Sequence, residues 1–270
     1  MSERWRYPDG APCWPELTTH DVPRAARFYA DVFGWTCRDL GPQVWHYTMC
    51  LVNDMPVAAI TPPAVGLQNV DPAWNTYLAT SDVEASAVRV EANDGKLVIL
   101  PTTLPGEGRF AQAADPEGTL FGLWQPGTHI GSRLYGDVGA MCWNEVNARN
   151  ARVTDDFYRS IFGYSQYQVG DGVDYDYVIW KVREVPVCGR LRVPYEYEWV
   201  PRHWMLYLRV NDCAEAVARV VRAGGSVHIP EYESRSGPVA VVSDPFGADF
   251  ALCQHPFGAH PVGTMPFSSC

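Results

Sequence analysis

The sequence contains the same pattern twice, at a spacing of 129 or 130 residues. The matched landmarks, first half against second, are Trp14-Pro-Glu16 with Trp143-Asn-Glu145, Phe28-Tyr29 with Phe157-Tyr158, Phe33-Gly34 with Phe162-Gly163, and Asp115-Pro-Glu-Gly118 with Asp244-Pro-Phe-Gly247. A repeat this long is a whole domain, because each copy is large enough to bury a hydrophobic core of its own. The repeat therefore predicts two similar domains, and the differences between them bear on function.

The predicted boundaries are residues 12–126 for the first domain, 127–138 for a linker and 139–256 for the second domain. Within each domain, residue periodicity indicates the order strand, helix, strand, strand, strand, and this order occurs twice. Helices are predicted over residues 23–33, 83–92, 153–162 and 214–223. The sequence thus predicts an α+β fold built from four such modules.

Composition excludes several classes of partner. With a net charge of −10, the chain lacks the basic face that nucleic acid or an anionic membrane requires. The first residues have no secretory apolar stretch, and the eight scattered cysteines contain no Cys-x-x-Cys, so we expect a cytoplasmic protein with reduced thiols. Its 10 Trp and 14 Tyr residues suit a pocket for a flat or apolar ligand.

Two motifs carry a resemblance to a known family. A helix ending in Phe-Tyr-x-x-(Val/Ile)-Phe-Gly-(Trp/Tyr), and an Asp-Pro-x-Gly turn before the last strand, occur in both halves. Together they resemble the vicinal oxygen chelate superfamily, which includes glyoxalase I, extradiol dioxygenases and bleomycin- and fosfomycin-resistance proteins. The chain resembles the tandem two-domain members. This implies two cup-like sheets with helices outside and a ligand or metal inside, and strands paired either within each half or swapped between halves.

The resemblance also indicates where a metal would be bound. The matched positions hold Trp14 and Trp143 on the first strands, Asn75 or Thr76 and Met205 or Leu206 on the fifth strands, and Gly122 and Ala251 on the eighth strands. A catalytic metal site needs about three protein ligands at fixed geometry. These residues do not supply them, so we expect neither a metal nor another cofactor in either cup.

Alternation along the strands predicts which side chains line the cups. On the first strands, Trp14 and Glu16 face inwards in one half, and Trp143 and Glu145 in the other. A second strand is predicted over residues 43–51, with His46 and Thr48 in its inward row and the opposite row in the core. At an offset of 130 the matching inward residue of the second half is Asp176, whereas an offset of 129 would reverse that row.

Further candidates come from the eighth strand and from two connections. Trp124 is predicted to line the first cup. The connections over residues 62–72 and 193–203 are candidate lids, and the second carries the substrate-binding candidates Tyr197 and Trp199. Aromatic rings that alternate with acids suit a cationic or flat ligand, but they are equally typical of an edge strand with its rings packed inwards.

The two glutamates are the strongest candidates for chemistry. A carboxylate beside an indole and partly out of water has a raised pKa, so Glu16 or Glu145 would act as general acid or base. His46 would share that role in the first cup, and Trp14 and Trp143 would form stacking surfaces for the ligand. The structural alternative is that each glutamate holds its strand in register and that each indole packs in the core.

Two functions follow from these residues and the resemblance. The first is a metal-independent enzyme that acts on a small aromatic or polyketide-like metabolite by acid–base chemistry of the aldol-cyclase, lyase or isomerase type, as in natural product biosynthesis. The second is a non-catalytic protein that sequesters a drug or metabolite, as in antibiotic resistance. In either case the partner is a small aromatic or apolar molecule. The sequence does not decide between a monomer and a homodimer.

Overall fold

A computed structural model describes residues 3–64, 69–197, 200–234 and 236–255, and in this part of the chain each half forms an eight-stranded sheet with two α-helices. The first half contains, in chain order, β1 (Pro12–Thr18), α1 (Val22–Phe33), β2 (Thr36–Asp39), β3 (Thr48–Val52), β4 (Met55–Thr61), β5 (Ala73–Ala79), α2 (Val83–Ala92), β6 (Lys96–Leu104), β7 (Gly108–Ala114) and β8 (Leu120–Pro126).

The second half repeats this order. It contains β9 (Met141–Ala148), α3 (Ala151–Phe162), β10 (Ser165–Val169), β11 (Tyr177–Val182), β12 (Val185–Arg192), β13 (Trp204–Arg209), α4 (Cys213–Arg222), β14 (Ser226–Ser234), β15 (Gly237–Ser243) and β16 (Asp249–Cys253). The strand–helix–strand–strand–strand module therefore occurs four times, and the predicted α+β fold is confirmed.

The strand order shows how the modules join. The first sheet runs β2-β3-β4-β1-β5-β8-β7-β6, and the second runs β10-β11-β12-β9-β13-β16-β15-β14. The two modules of the first half meet where β1 pairs antiparallel with β5, and β9 and β13 do the same in the second half. The strands therefore pair within each half and are not swapped between halves.

Local sequence explains where the helices begin and end. The N-cap side chains accept hydrogen bonds from backbone N–H groups three residues later, as a cap should: Asp21 from Arg24, Asp82 from Ala85, Asn150 from Val153 and Asp212 from Glu215. Gly34 and Gly163 end α1 and α3 in the left-handed conformation that glycine adopts without strain. No helix in the described ranges is long and apolar enough to cross a membrane.

The helices lie between the two sheets. Helix α1 contacts α4, and α2 contacts α3, so each helix pair combines one helix from each half. On α1, Tyr29 contacts Phe250 of the other half at 5.7 Å between ring centroids, and Phe121 likewise contacts Phe157 of α3 at 6.0 Å. The main hydrophobic core consequently draws residues from both halves. The opposite face of each sheet points away from the helices and forms the inside of a cup.

The two sequence markers of the resemblance meet across this core. The Tyr29 hydroxyl donates to Asp244 Oδ2 at 3.2 Å, and the Tyr158 hydroxyl donates to Asp115 Oδ2 at 3.4 Å. Each tyrosine thus contacts the Asp-Pro-x-Gly turn of the other half. Burial raises the pKa of Asp115 to about 6, against the hydrogen bonds it accepts from its own turn. Both motifs therefore join the two halves and lie outside the cups.

The segment before β3 differs from the prediction. Residues 42–44 form a single 3₁₀ turn, Trp45 and His46 have positive φ of 52° and 57°, and β3 begins only at Thr48. Pro42 has no N–H group for a sheet ladder, and Gly41 allows the chain to turn, so the predicted strand over residues 43–51 does not form as one piece.

Candidate active site

A glutamate lies at the centre of the first cup. Glu16 is on β1, directly opposite Asn75 of β5, and faces away from the helices. The Tyr47 hydroxyl donates to Glu16 Oε2 at 2.9 Å, and the Tyr77 hydroxyl donates to Glu16 Oε1 at 3.2 Å. Each carboxylate oxygen therefore accepts one phenolic hydrogen bond. Burial raises the pKa of Glu16, and the two tyrosine hydrogen bonds oppose that rise only in part.

Two further donors fix the tyrosines. Trp14 Nε1 donates to the Tyr47 hydroxyl at 2.9 Å, and Gln112 Nε2 donates to the Tyr77 hydroxyl at 2.9 Å. Because each hydroxyl accepts one bond and donates its own proton to Glu16, both phenolic protons have a defined direction. The result is a continuous chain of four hydrogen bonds centred on the carboxylate.

A glycine makes room for this arrangement. Gly122 on β8 lies directly opposite Tyr77, and a Cβ atom at residue 122 would come within 2.1 Å of the Tyr77 ring. A ring that close to the sheet is compatible only with the absence of a side chain. Gly122 therefore positions Tyr77, which accounts for a small residue at one of the positions where the resemblance implies a metal ligand.

The second cup contains the same core network. The Tyr177 and Tyr207 hydroxyls each donate to Glu145 at 2.8 Å, and Trp143 Nε1 donates to the Tyr177 hydroxyl at 2.8 Å. Burial raises the pKa of Glu145 to about 7. The counterpart of Gln112 in the second half, at an offset of 129, is Val241, whose side chain has no hydrogen-bond donor.

The two cups differ in access. In the second cup, Trp143, Tyr177 and Met205 expose 4% or less and belong to a separate hydrophobic cluster, and Glu145 exposes 1%. Side chains with so little accessible surface leave no room for a water molecule beside them. In the first cup, Trp14 and Tyr77 are equally buried. The other residues around them are partly exposed, namely Glu16, Tyr47, Met49, Asn75, Phe110 and Gln112. The first cup is therefore open and the second is filled.

An arginine anchors the connection before β13, which packs over the second cup and is called its cover below. Arg149 follows β9 and donates to the backbone carbonyls of the connection before β13, at 3.2 Å to Val193, 2.8 Å to Pro194, 2.9 Å to Tyr197 and 2.7 Å to Val200. In the first half the matched position holds His20, whose Nε2 lies 3.0 Å from the carbonyl oxygen of Val70. The planar guanidinium can bind several carbonyls at once, whereas an imidazole nitrogen binds one.

A histidine from the linker completes the first cup. The His129 ring contacts Trp14 edge-on at 4.5 Å and Trp124 at 5.3 Å between centroids, and its carbonyl accepts from Trp124 Nε1. Burial lowers the pKa of His129 to about 4, so the imidazole is neutral at neutral pH. Its Nε2 atom is buried and has no hydrogen-bond partner within the described residues.

Comparison with known proteins assigns the family. A family model described as "Glyoxalase/Bleomycin resistance protein/Dioxygenase superfamily" matches residues 14–123, and one described as "Glyoxalase-like domain" matches residues 143–253. The chain is 33% identical over 260 residues to "Putative glyoxylase CFP32" of Mycobacterium tuberculosis, which covers 94% of this chain and 98% of that protein. The chain belongs to this glyoxalase superfamily. It is also 31% identical over 263 residues to "Anthracycline biosynthesis protein DnrV" of Streptomyces peucetius, covering 92% and 94% of the two chains.

Solved structures of the superfamily share the fold. The Mn(II)-bound glyoxalase from Novosphingobium aromaticivorans matches with a TM-score of 0.63 and 14% identity, over 91% of this chain and 82% of that one. The 2,3-dioxygenase LapB from Pseudomonas sp. KL28 matches with a TM-score of 0.61 and 14% identity, over 94% and 96%. At this level of identity the likeness concerns the fold alone.

The residues of this glyoxalase-like chain do not fit the superfamily's metal. In the first cup, Asn75 is the one amide among the inward residues at the matched positions, and its Nδ2 donates to Thr18. Trp14 offers only an N–H donor, and Gly122 offers no side chain. In the described part of the chain, no group of three or more His, Cys, Asp or Glu residues is placed to hold an ion. The matched positions of the first cup therefore do not supply the three ligands that a catalytic divalent metal requires.

The structure corrects the placement of His46 and Thr48. The His46 side chain is 59% exposed in the turn before β3, where Nδ1 bonds Asp39 at 2.8 Å. Thr48 shares a face of β3 with Cys50, which lies in the main core on the helix side. The turn ends one residue later than the predicted alternation requires, so Tyr47 enters the cup where His46 was expected.

Asp176 is also placed outside the second cup. Its carboxylate pairs with Arg190 at 2.9 Å and Arg192 at 3.3 Å, and Arg190 continues to Asp155 at 3.0 Å on the helix side. A buried guanidinium needs such partners, so Asp176 has a structural explanation. Tyr177, the next residue, lies in the cup where the strand alternation predicts Asp176.

The remaining predicted ligand-binding residues are aromatic side chains, and those that the structure describes are mostly buried. Trp14 and Trp143 expose 2% and Trp124 exposes 5%, so these rings form walls of the cups, and their contact with a ligand stays a prediction. Tyr197 packs over the hydrophobic cluster of the second cup. Trp199 lies outside the described residues. Sequence reasoning missed Tyr47, Tyr77, Gln112 and His129 as members of the first cup.

Proposed function

We propose that the first cup binds a small, flat aromatic or polyketide-type metabolite and that Glu16 transfers a proton on it without a metal. The observation that carries this proposal is the accessibility of Glu16. Its raised pKa and partial exposure combine the two properties that a general base needs, whereas the matched Glu145 is sealed.

The nature of the ligand is inferred from the cup and from the relatives. Phe110 and Met49 give the open cup apolar walls beside its polar centre, as small-molecule sites commonly have. The relative named for anthracycline biosynthesis supports an aromatic polyketide as the first compound class to test. The same class suits the Trp14 and Trp124 rings that flank the cup.

The proposed chemistry begins with the carboxylate of Glu16. It removes a proton from a carbon beside a ligand carbonyl, which generates an enolate, and the protonated acid later returns the proton. Tyr47 and Tyr77 hold the carboxylate in place through their hydroxyls. The neutral His129 imidazole packs beside Trp14 and gives the cup an uncharged wall next to the carboxylate. Aldol-type cyclisation, elimination and isomerisation share this first step.

A second candidate function is binding without turnover. The same glutamate–tyrosine network exists in the filled second cup, where a ligand has no access. There the network connects β9, β11 and β13, so its presence is explained by structure alone. In this alternative the first cup sequesters its ligand, and Glu16 only holds the cup together.

Matched variants distinguish these functions. Glu16→Gln is compared with Glu145→Gln, using an anthracycline-type aglycone precursor, product detection by mass spectrometry and binding by quenching of tryptophan fluorescence. If Glu16 is the base, Glu16→Gln loses about 10²- to 10⁴-fold in turnover while affinity changes little, and Glu145→Gln keeps its turnover.

Other outcomes decide against the proposal. Binding with no turnover in the wild type, or equal turnover in Glu16→Gln and the wild type, eliminates the acid–base role. Absence of binding of any polycyclic aromatic probe eliminates the ligand class. Elemental analysis that finds a stoichiometric divalent ion, required for activity, eliminates the metal-independent chemistry.

A further inference from the structure

We infer that Cys37 and Cys50 form a thiol pair that hydrogen peroxide converts reversibly into a disulfide. The two residues lie in adjacent strands of the first half, and nothing in the proposed function of the cup requires them. Their positions in the second half hold Gln166 and Trp180, at offsets of 129 and 130, so the pair is particular to the first half.

The strand register brings the two sulfur atoms together. Cys37 on β2 is directly opposite Cys50 on β3, and their Sγ atoms lie 3.6 Å apart. The Leu40 N–H bonds the Tyr47 carbonyl at 3.0 Å, which makes that opposite pair hydrogen-bonded. Because such pairs alternate, Cys37 and Cys50 form a non-hydrogen-bonded pair.

This type of pair suits a disulfide. The Cα atoms of a non-hydrogen-bonded antiparallel pair are about 4.5 Å apart, within the span of about 4.4–6.8 Å that disulfides bridge. Rotation of the two side chains is therefore enough to bring the sulfur atoms into bonding distance, and the backbone can keep its place in the sheet.

The exposure of the two cysteines determines which one reacts with peroxide first. Cys37 is partly exposed, whereas Cys50 is fully buried beneath it. The hydrogen bond from Cys50 lowers the pKa of Cys37, which favours its thiolate. The Cys37 thiolate attacks one peroxide oxygen, breaking the O–O bond and giving a sulfenic acid and, after protonation, water. The Cys50 sulfur then attacks the Cys37 sulfur and the S–S bond forms. The Cys50 thiol gives up its proton in this step, and the hydroxyl leaves with that proton as a second water.

The chain supplies an internal comparison. Cys142 lies within hydrogen-bonding reach of Cys253, but both are fully buried. An oxidant therefore reaches Cys37 of the first pair and neither member of the second. We therefore expect hydrogen peroxide to oxidise the Cys37–Cys50 pair and to leave Cys142 and Cys253 reduced.

The test uses the full-length reduced protein treated with hydrogen peroxide under native conditions. Intact mass is expected to fall by two hydrogen atoms, and thiol titration to lose two of the eight thiols. Non-reducing peptide mapping should link Cys37 to Cys50, and dithiothreitol should restore the starting mass. Cys142→Ser, the control, should form the same link.

Two further variants separate the steps. Cys37→Ser should show no mass loss, and Cys50→Ser should accumulate a sulfenic acid at Cys37 that dimedone traps. If Cys50→Ser does not fold, the peptide map of the wild type decides alone. A link between any other cysteines, over-oxidation of Cys37 without a link, or no reaction before unfolding would overturn the inference.

Discussion

The sealed glutamate of the second cup predicts a specific dependence of stability on pH. Burial raises the pKa of Glu145 to about 7, from an ordinary value of 4.5. Because the unfolded chain loses this proton first, the stabilisation that Glu145 provides is complete below about pH 4.5 and is lost as the pH rises through about 7. A rise of about 2.5 in this pKa corresponds to roughly 3.5 kcal/mol, at about 1.4 kcal/mol for each unit of pH.

Urea unfolding of the wild type and Glu145→Gln, at several pH values from about 5 to about 8.5, measures this difference. Other buried acids titrate in both proteins, so the difference between the two free energies of unfolding isolates Glu145. The advantage of the wild type over the variant should shrink by roughly 2.5 kcal/mol across this range, since part of the effect is already lost at about pH 5. Parallel curves for the two proteins would refute the raised pKa and with it the sealed cup.

Three other changes test the cups and the joint between the halves. Gly122→Ala should destabilise by about 1–3 kcal/mol in urea unfolding, because its Cβ displaces the Tyr77 ring; a neutral effect would contradict the close packing. Arg149→Leu should cost about 2–4 kcal/mol and speed limited proteolysis in residues 193–203, since four carbonyls lose their donor; unchanged cleavage would show that other contacts hold the cover. Tyr29→Phe should cost about 2 kcal/mol by thermal or urea unfolding, because Asp244 loses a buried donor and an indole N–H loses its acceptor; a loss below experimental error would show that water replaces the hydroxyl.

The fold followed closely from the sequence because its signals are local and occur twice. Asp82 and Gly34 sit at helix ends for reasons of backbone chemistry, and each recurs in the other half as Asp212 or Gly163. Strand alternation alone was enough to predict that Glu16 faces away from the helices.

The composition of the cup was harder to predict. One turn around His46 inverts the inward row of β3, and alternation cannot reveal a shift of one residue. A signal did exist, since Tyr47 and Tyr77 recur as Tyr177 and Tyr207 at the same offset of 130. His129 had no such signal, because its place depends on the path of the linker across distant strands.

The crossed hydrogen bonds at the centre of the molecule make the two halves mutually dependent. Tyr29 reaches Asp244 in the other half, and Tyr158 reaches Asp115, so separation of the halves would break both hydrogen bonds and expose the apolar core around them to water. Each half nevertheless carries one donor and one acceptor of the same kind. Its inner surface is therefore self-complementary, and the covalent linker joins two pieces that already match like the subunits of a twofold-symmetric dimer.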